Sequence, residues 1–284
     1  MLPDYLSAIL RALGFAALFQ AAGVAMFLAI FHAGLADSTP AIRRLGRIAA
    51  ISGLAFVSSH FALEAGRMAG SLGGVLDPDL QQRVLTSPLG ATTALRCAGL
   101  LLLAIGLRGD GPPRLLAITG ANLAVFSFAL TGHTAVNHTR WLLAPLLLAH
   151  LSIVAFWFGA LMPLHIVSRS EIHTRAAKIV EHFSRIAFWL VPGILVAGIA
   201  MACFLLPNFA ALRGTYGTLL LAKLAGFVLL MALAAANKWR LGPAIERGEV
   251  PAIRMFRRIV SLEYALIVVV LAVSAVMTSF FSPE

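Results

Sequence analysis

Long apolar segments separated by short polar connections follow one another along the whole chain. Eight of these segments reach about 20 residues, the length an α-helix needs to cross the hydrocarbon core of a bilayer. They lie roughly at residues 8–32, 46–68, 90–107, 115–133, 142–167, 186–206, 217–237 and 260–280. The pattern predicts an all-α, polytopic membrane protein with eight transmembrane helices, forming a single integral membrane domain over residues 1–284 in contact with membrane lipid.

Weak internal similarity suggests that the eight helices form two halves. Residues 90–99 read GATTALRCAG and residues 217–226 read GTLLLAKLAG, each with a glycine, a basic residue six positions later and a final Ala-Gly. Each half would contain four helices, an even number, so the two halves would be parallel repeats related by an axis along the membrane normal. We place them at residues 1–137 and 138–284.

Basic residues are unevenly distributed among the polar connections. Fifteen Lys and Arg residues follow the first, third, fifth and seventh segments, against five in the N-terminal region and the alternate connections. Positive charge is retained in the cytoplasm, so this bias predicts both termini on the outer side of the membrane. It also explains the formal net charge of +10 without a nucleic-acid partner.

The sequence offers no pattern typical of an enzyme. It contains no phosphate-binding loop and no nucleophile–base motif, and no polar stretch is long enough for a soluble domain. We therefore expect a protein that is not an enzyme.

Histidines near the predicted outer face are the main candidates for chemistry, because an imidazole in hydrocarbon is costly without a partner. His133 and His150 come from the ends of successive helices joined by a short connection, so these helices are expected to be antiparallel neighbours. Two facing imidazoles can bind copper. The alternative is a hydrogen bond between helices, worth about 1 kcal/mol in a membrane. His138, in the connection, is a further candidate ligand.

A second candidate group lies on the second predicted helix. His60, Glu64 and Met68 follow one another at four-residue spacing, which aligns imidazole, carboxylate and thioether along one face. They could form a metal-ligand set, or Glu64 could orient His60 as a ligand. Alternatively, Glu64 pairs with Arg67 or Arg96 and serves helix packing.

The stretch 150–161 carries the pattern H-x6-W-x-G-x-L, formed by His150, Trp157, Gly159 and Leu161. This pattern resembles the signature of the CopD family of bacterial copper-resistance and copper-transport membrane proteins. Later features of the family fit in the same order, namely Phe183-Ser184-Arg185, Thr215-Tyr216-Gly217, Asn237 and Glu263. The resemblance covers about residues 130–280, whereas the first half fits only by its number of apolar segments.

The resemblance implies an inner-membrane protein that transports copper ions, usually from periplasm to cytoplasm, and contributes to copper homeostasis or resistance. Family members are often associated with, or fused to, a small periplasmic copper-binding protein, CopC, so a CopC-like partner is implied. His60, His133 and His150 would capture copper on the outer side. A second, weaker site near His32 and His165 could serve its passage inward.

Two other functions use the same histidines. A b-type membrane cytochrome would hold haem between two histidines of a helix bundle. A copper chaperone or assembly factor would share the copper site without moving the ion across the membrane.

Overall fold

The computed structural model describes residues 2–109, 115–132, 137–205 and 213–281, and every regular element in these ranges is helical. The α-helices are α1 (Leu2–Phe31), α2 (Thr39–Met68), α3 (Pro78–Thr86), α4 (Pro88–Gly106), α5 (Leu115–Phe126), α6 (Arg140–Ser170), α7 (His173–Leu190), α8 (Pro192–Leu205), α9 (Thr215–Ala236), α10 (Gly242–Glu246) and α11 (Val250–Phe280). A π-helical turn, Asn237–Leu241, connects α9 to α10. His133 lies outside the described residues.

The number of membrane crossings follows from helix length together with the position of the termini. Seven described helical stretches are long and apolar enough to cross a membrane, and Leu115–Leu130 is a shorter apolar helix. With the axial rise of an α-helix for its first part and of a 3-10 helix for its last turn, this shorter helix is about 26 Å long, close to the thickness of a hydrocarbon core. The rings of Tyr5 and Phe280 lie 5.9 Å apart, so both ends of the chain are on one face, which requires an even number of crossings. The predicted all-α polytopic membrane fold is confirmed, and the seven long helical stretches together with the shorter one agree with eight crossings.

Several helices start before their predicted positions, and the difference is largest for the sixth segment. The apolar pattern placed the sixth segment at 186–206, but helical structure begins at His173 and continues, with a break near Val191, to Leu205. The first part of α7 has one apolar face, with Ile179, Val180 and Phe183 buried, and a polar opposite face. A search for continuous apolar runs misses such an amphipathic start.

Helix α1 is the centre of the molecule. In its most apolar stretch 61% of the positions are buried, against 6% for the stretch Thr215–Glu246 that contains α9. The first four crossings, α1, α2, α4 and α5, contact one another in a closed ring. In the second half, α6 contacts α8 and α11, and α11 contacts α9, while α1 contacts both α6 and α11. We call α1–α5 the first half and α6–α11 the second half. The predicted repeat relation between them stays a prediction.

The two halves meet where α1 crosses α6. A Cβ atom on Gly23 would overlap the carbonyl oxygen of Ala155 and the Cα of Gly159, and a Cβ on Gly159 would overlap the backbone of Gly23. Small residues at such crossings let helix backbones approach closely in a membrane. The buried side chain of Gln20 adds a hydrogen bond, from its Nε2 to the carbonyl oxygen of Gly159 at 3.0 Å. The crossing is thus held by close packing and one interhelical hydrogen bond.

A second connection between the halves lies on the face opposite the termini. The carboxylate of Glu171, just after α6, accepts hydrogen bonds from the backbone N–H of Ala36 and of Ser38, at 2.8 and 3.1 Å, and from the Ser38 hydroxyl at 2.6 Å. Its other oxygen accepts from Arg175 at 3.1 Å. Burial alone would raise the pKa of Glu171, but these hydrogen bonds outweigh it and lower the pKa to about 2.

We expect Gly23→Ala to destabilise the protein by about 2 kcal/mol, because backbone atoms of α6 leave no space for the added methyl group. The measurement is thermal unfolding of purified protein in detergent. Gly14→Ala is the matched control, since a Cβ there would make ordinary contacts with Val57 and Phe56, at 3.7 and 3.8 Å. Equal stability of the two variants would contradict a tight crossing.

We expect Glu171→Gln to lower the free energy of unfolding by about 2 kcal/mol, because charge-assisted hydrogen bonds between the halves weaken. Because its pKa is lowered, the carboxylate stabilises the fold fully at pH values above the ordinary carboxyl pKa of 4.5. This stabilisation is lost as pH falls towards about 2. Acid unfolding of wild type should therefore depend on Glu171 in that window. Glu181→Gln is the control, because it removes an exposed carboxylate paired with Arg185. We expect it to change the free energy of unfolding only slightly.

Candidate functional site

The face that carries both termini holds a group of connected polar side chains, which we call the terminal-face cluster. Its members are Asp4, Ser7 and Arg11 of α1, His60, Glu64 and Arg67 of α2, and Thr278 of α11. The cluster joins the two halves, because Arg11 donates from Nη1 to the carbonyl oxygen of Thr278 at 2.8 Å. Two helices of the first half and one of the second are thereby tied together.

His60 is the buried imidazole of this cluster, with 6% of the residue exposed. Arg11 donates from Nε to its Nε2 at 3.3 Å. Arginine has no acceptor atom, so the hydrogen bond assigns Nε2 as the unprotonated nitrogen of a neutral ring. Neutral imidazole is the form that binds metals, but here the lone pair is directed at Arg11. A cavity of about 20 Å³ beside His60, lined also by Arg11 and Arg96, has room for one water or one metal ion.

Glu64 is held by its own partners. Arg67 donates from Nη1 to both carboxylate oxygens, at 2.9 and 3.0 Å, and Ser7 donates to Oε1 at 3.3 Å. Arg67 also donates from Nε to Asp4 at 3.1 Å. This is the pairing with Arg67 that the sequence offered as the alternative to metal binding, although Glu64 Oε1 also lies 3.4 Å from His60 Nε2. In this conformation the carboxylate anchors α2 to α1.

Arg96 does not pair with Glu64. Its Nε donates to the Ser127 hydroxyl at 3.0 Å, and its guanidinium lies 4.3 Å from the ring centroid of Phe128. A cation–π contact and a neutral hydroxyl therefore accommodate this charge inside the membrane segment. Arg96 still lines the cavity beside His60, so positive charge borders that cavity on two sides.

His150 is oriented differently from His60. Its Nδ1 lies 3.0 Å from the carbonyl oxygen of Ile194 on α8, and a carbonyl can only accept, so Nδ1 carries the proton. The other nitrogen, Nε2, is then an acceptor, and the described residues provide no hydrogen bond to it. A histidine held by Nδ1–H to a backbone carbonyl, with Nε2 open, is the usual arrangement of a metal-ligating imidazole.

The remaining predicted ligands are not assembled with these two. Met68 is 57% exposed at the end of α2, and His138 is exposed in the turn before α6. Among the residues that the structure describes, no group of three or more His, Cys, Asp or Glu side chains could hold a metal ion. The cluster of His60, His133 and His150 stays a prediction, since His133 lies outside the described ranges.

The inner pair of histidines has separate surroundings. His165 Nδ1 lies 3.4 Å from the Ser261 hydroxyl, whereas the buried Nδ1 of His32 has no hydrogen-bond partner among the described residues. The described contacts do not join these two side chains.

Sequence reasoning counted Arg11 only as a basic residue and missed its contact with His60. The available signal was its position inside the first apolar segment, since a charge within a membrane helix is costly and requires a partner. The identity of that partner depends on how α1 packs on α2, which the sequence pattern does not specify.

Two family profiles match the chain and together cover most of it. The profile described as "Copper resistance protein D-like, N-terminal domain" matches residues 1–142, and the profile described as "Copper resistance protein D" matches residues 177–277. The first half, which the sequence linked to the family only by its number of segments, is thus matched as well. The stretch 150–161, with the histidine–tryptophan–glycine pattern, lies between the two matched ranges.

Curated relatives agree with the profiles. The chain is 30% identical over 227 residues to "Copper resistance protein D" of Pseudomonas syringae pv. tomato, with 73% of each chain covered. It is 28% identical over 246 residues to "Inner membrane protein YebZ" of Escherichia coli (strain K12), with 83% of each covered. No solved structure shows a significant match. The chain is a polytopic membrane protein of the copper resistance protein D family.

We expect Arg11→Met to increase the affinity of His60 for a soft metal ion at least about tenfold, because a charge-assisted hydrogen bond of about 1.5 kcal/mol no longer competes for Nε2. The measurement is silver(I) titration of purified protein, with silver as a redox-inert analogue of copper(I). Arg83→Met, at an exposed position on α3, is the control. Addition of His60→Ala should abolish the gain; a gain that persists would place the metal elsewhere.

Proposed function

We propose that the protein binds copper ions within the membrane and moves them from periplasm to cytoplasm. Membership of the copper resistance protein D family supports a role with copper. The name of the Escherichia coli relative supports the inner membrane as the location. The distribution of basic residues supports periplasmic termini, so the terminal face would be the periplasmic side.

The observation that carries this proposal is the geometry of His150. Its ring is held through Nδ1, and Nε2 is free of hydrogen bonds to the described residues. It lies ten residues after the start of α6 at Arg140, about 15 Å along the helix axis. An imidazole prepared in this way inside a membrane helix is suited to bind a soft cation on its passage.

The transport route in this proposal has an outer and an inner part. Copper would be delivered at the terminal face by a small periplasmic copper-binding protein of the CopC type and would bind near His60, His133 and His150. The membrane potential favours inward movement of a cation and would supply the driving force. The activity is transport without catalysis.

We expect purified wild-type protein, loaded with copper(I) and desalted, to retain copper in a near-stoichiometric amount. His133→Ala/His150→Ala should lose most of it, because the open imidazole of His150 and its predicted neighbour are removed. His173→Ala, at an exposed position at the start of α7, is the control. The measurement is multi-element analysis of copper and iron per chain.

The same measurement separates the competing functions. Stoichiometric iron without copper would overturn the copper proposal and indicate a b-type cytochrome. Copper binding that depends on His150, combined with no copper uptake by proteoliposomes under an inward-directed potential, would indicate a chaperone instead of a transporter. Uptake that His133→Ala/His150→Ala abolishes is the result that supports transport.

A further inference from the structure

A second cavity lies towards the face opposite the termini, away from His60 and His150. It has a volume of about 120 Å³, enough for a hydrated ion, and is lined by α6, α7, α9, α11 and the π-helical turn after α9. Its lining is mainly apolar and aromatic. The groups that could bind a ligand are Trp157, Met231, Asn237, Lys238, Trp239 and Glu263.

Glu263 is the buried carboxyl group of this cavity, with 2% of the residue exposed. Asn237 donates from Nδ2 to its Oε1 at 2.8 Å. The amide oxygen of Asn237 is buried and has no hydrogen-bond partner among the described residues. The site thus contains one carboxyl group and one buried amide acceptor with unused capacity.

A basic side chain that lines the cavity is directed away from Glu263. Lys238 also lines the cavity, but its Nζ lies 3.8 Å from the ring centroid of Phe188, in a cation–π contact. No ion pair between Glu263 and a basic group is found in the described part of the chain. A buried carboxylate without a cationic partner is strongly disfavoured in a membrane segment. The group therefore needs either a proton or a bound cation.

The other titratable groups around Glu263 do not supply that cation. On α11, Arg257 donates to the hydroxyl and the carbonyl oxygen of Ser168 on α6, and Tyr264 stacks on Phe158 at 4.7 Å between ring centroids. On α6, His165 lies near the Ser261 hydroxyl. On α7, the polar residue that lines the cavity is Ser184, which carries no charge.

The backbone at Asn237 is itself unusual. Residues Asn237–Leu241 form a π-helical turn, a wider turn that occurs frequently at functional sites in helices. This turn brings Asn237, Lys238 and Trp239 to the cavity together, although consecutive residues of an α-helix point in different directions. The local geometry thus concentrates polar groups around Glu263.

We propose that this cavity is an inner cation site at which a copper ion displaces a proton from Glu263. The inference rests on the proposed transport function and adds that the copper ion exchanges with a proton at this site. With water alone in the cavity, Glu263 is a neutral carboxylic acid hydrogen-bonded to Asn237. When copper(I) enters, the O–H bond breaks, the carboxylate binds the metal, and one proton leaves to solvent; no electron is transferred.

The ligand set fits a transient site. The soft thioether of Met231 and the faces of Trp157 and Trp239 suit a monovalent soft cation, and the carboxylate neutralises its charge. A single charged ligand binds less tightly than a closed set of thiolates or imidazoles. Transport requires such a balance, because an ion must also leave its last binding site.

The test combines infrared difference spectroscopy with proton-release measurement on the purified full-length protein, using silver(I) as the probe. Metal-free wild type should show the C=O band of a protonated carboxyl near neutral pH. Silver should remove this band and release about one proton per ion bound at the cavity. Glu263→Gln should lack both signals, whereas Glu246→Gln, at an exposed carboxylate of α10, should keep both.

A second variant keeps the test decisive if Glu263→Gln does not fold. Asn237→Ala should retain the band but shift its frequency, because the hydrogen bond from Nδ2 is lost. Absence of the band in wild type, or equal proton release in wild type and Glu263→Gln, would overturn the inner site. Metal binding at His150 without proton release that depends on Glu263 would overturn this inference alone. The absence of any metal binding would overturn the proposed function.

Discussion

The contact between Gly23 and Gly159 is the constraint on which the rest of the structure depends. The backbones of α1 and α6 are so close there that a side chain on either residue would overlap the other helix. The two helices run in parallel, because Gln20 and Gly23 lie against Gly159 and, further along, Ser38 reaches Glu171. A mutual contact of this kind is what the predicted pair of parallel repeats would place between their first helices.

The same crossing changes the interpretation of the histidine–tryptophan–glycine pattern. Gly159 allows the close approach of α1, and Trp157 is buried, with its ring 6.3 Å from that of Phe227. Gly159 serves packing, and Trp157 packs on Phe227 and also lines the inner cavity, whereas His150, two turns before Trp157, faces α8. The pattern therefore combines a residue suited to ligand binding with the residues that hold its helix in place.

How far the sequence predicts the structure depends on the physical cause of each feature. The eight crossings were predictable, because the bilayer requires about 20 apolar residues for each helix. The start of α7 at His173 was not, since an amphipathic stretch leaves no continuous apolar run. Glu64 and Arg67 are three residues apart in one helix, so their pairing could be anticipated. The partners of His60 and Glu171 could not, because Arg11 and Ser38 reach them only through helix packing.

The proposed route for copper has a consequence for how the halves must move. A cation binding at His60 has to displace Arg11, and Arg11 also holds the end of α11 through Thr278. Occupation of the outer site would therefore loosen a contact between the halves on the terminal face, while Glu171 and the glycine crossing keep them joined elsewhere. The inner cavity lies between α7 and α11 in the second half, where α9 has few buried residues. Thr278, which binds Arg11 at one face, and Glu263, which lies towards the other face, belong to the same helix, so α11 is the element that would connect the two sites.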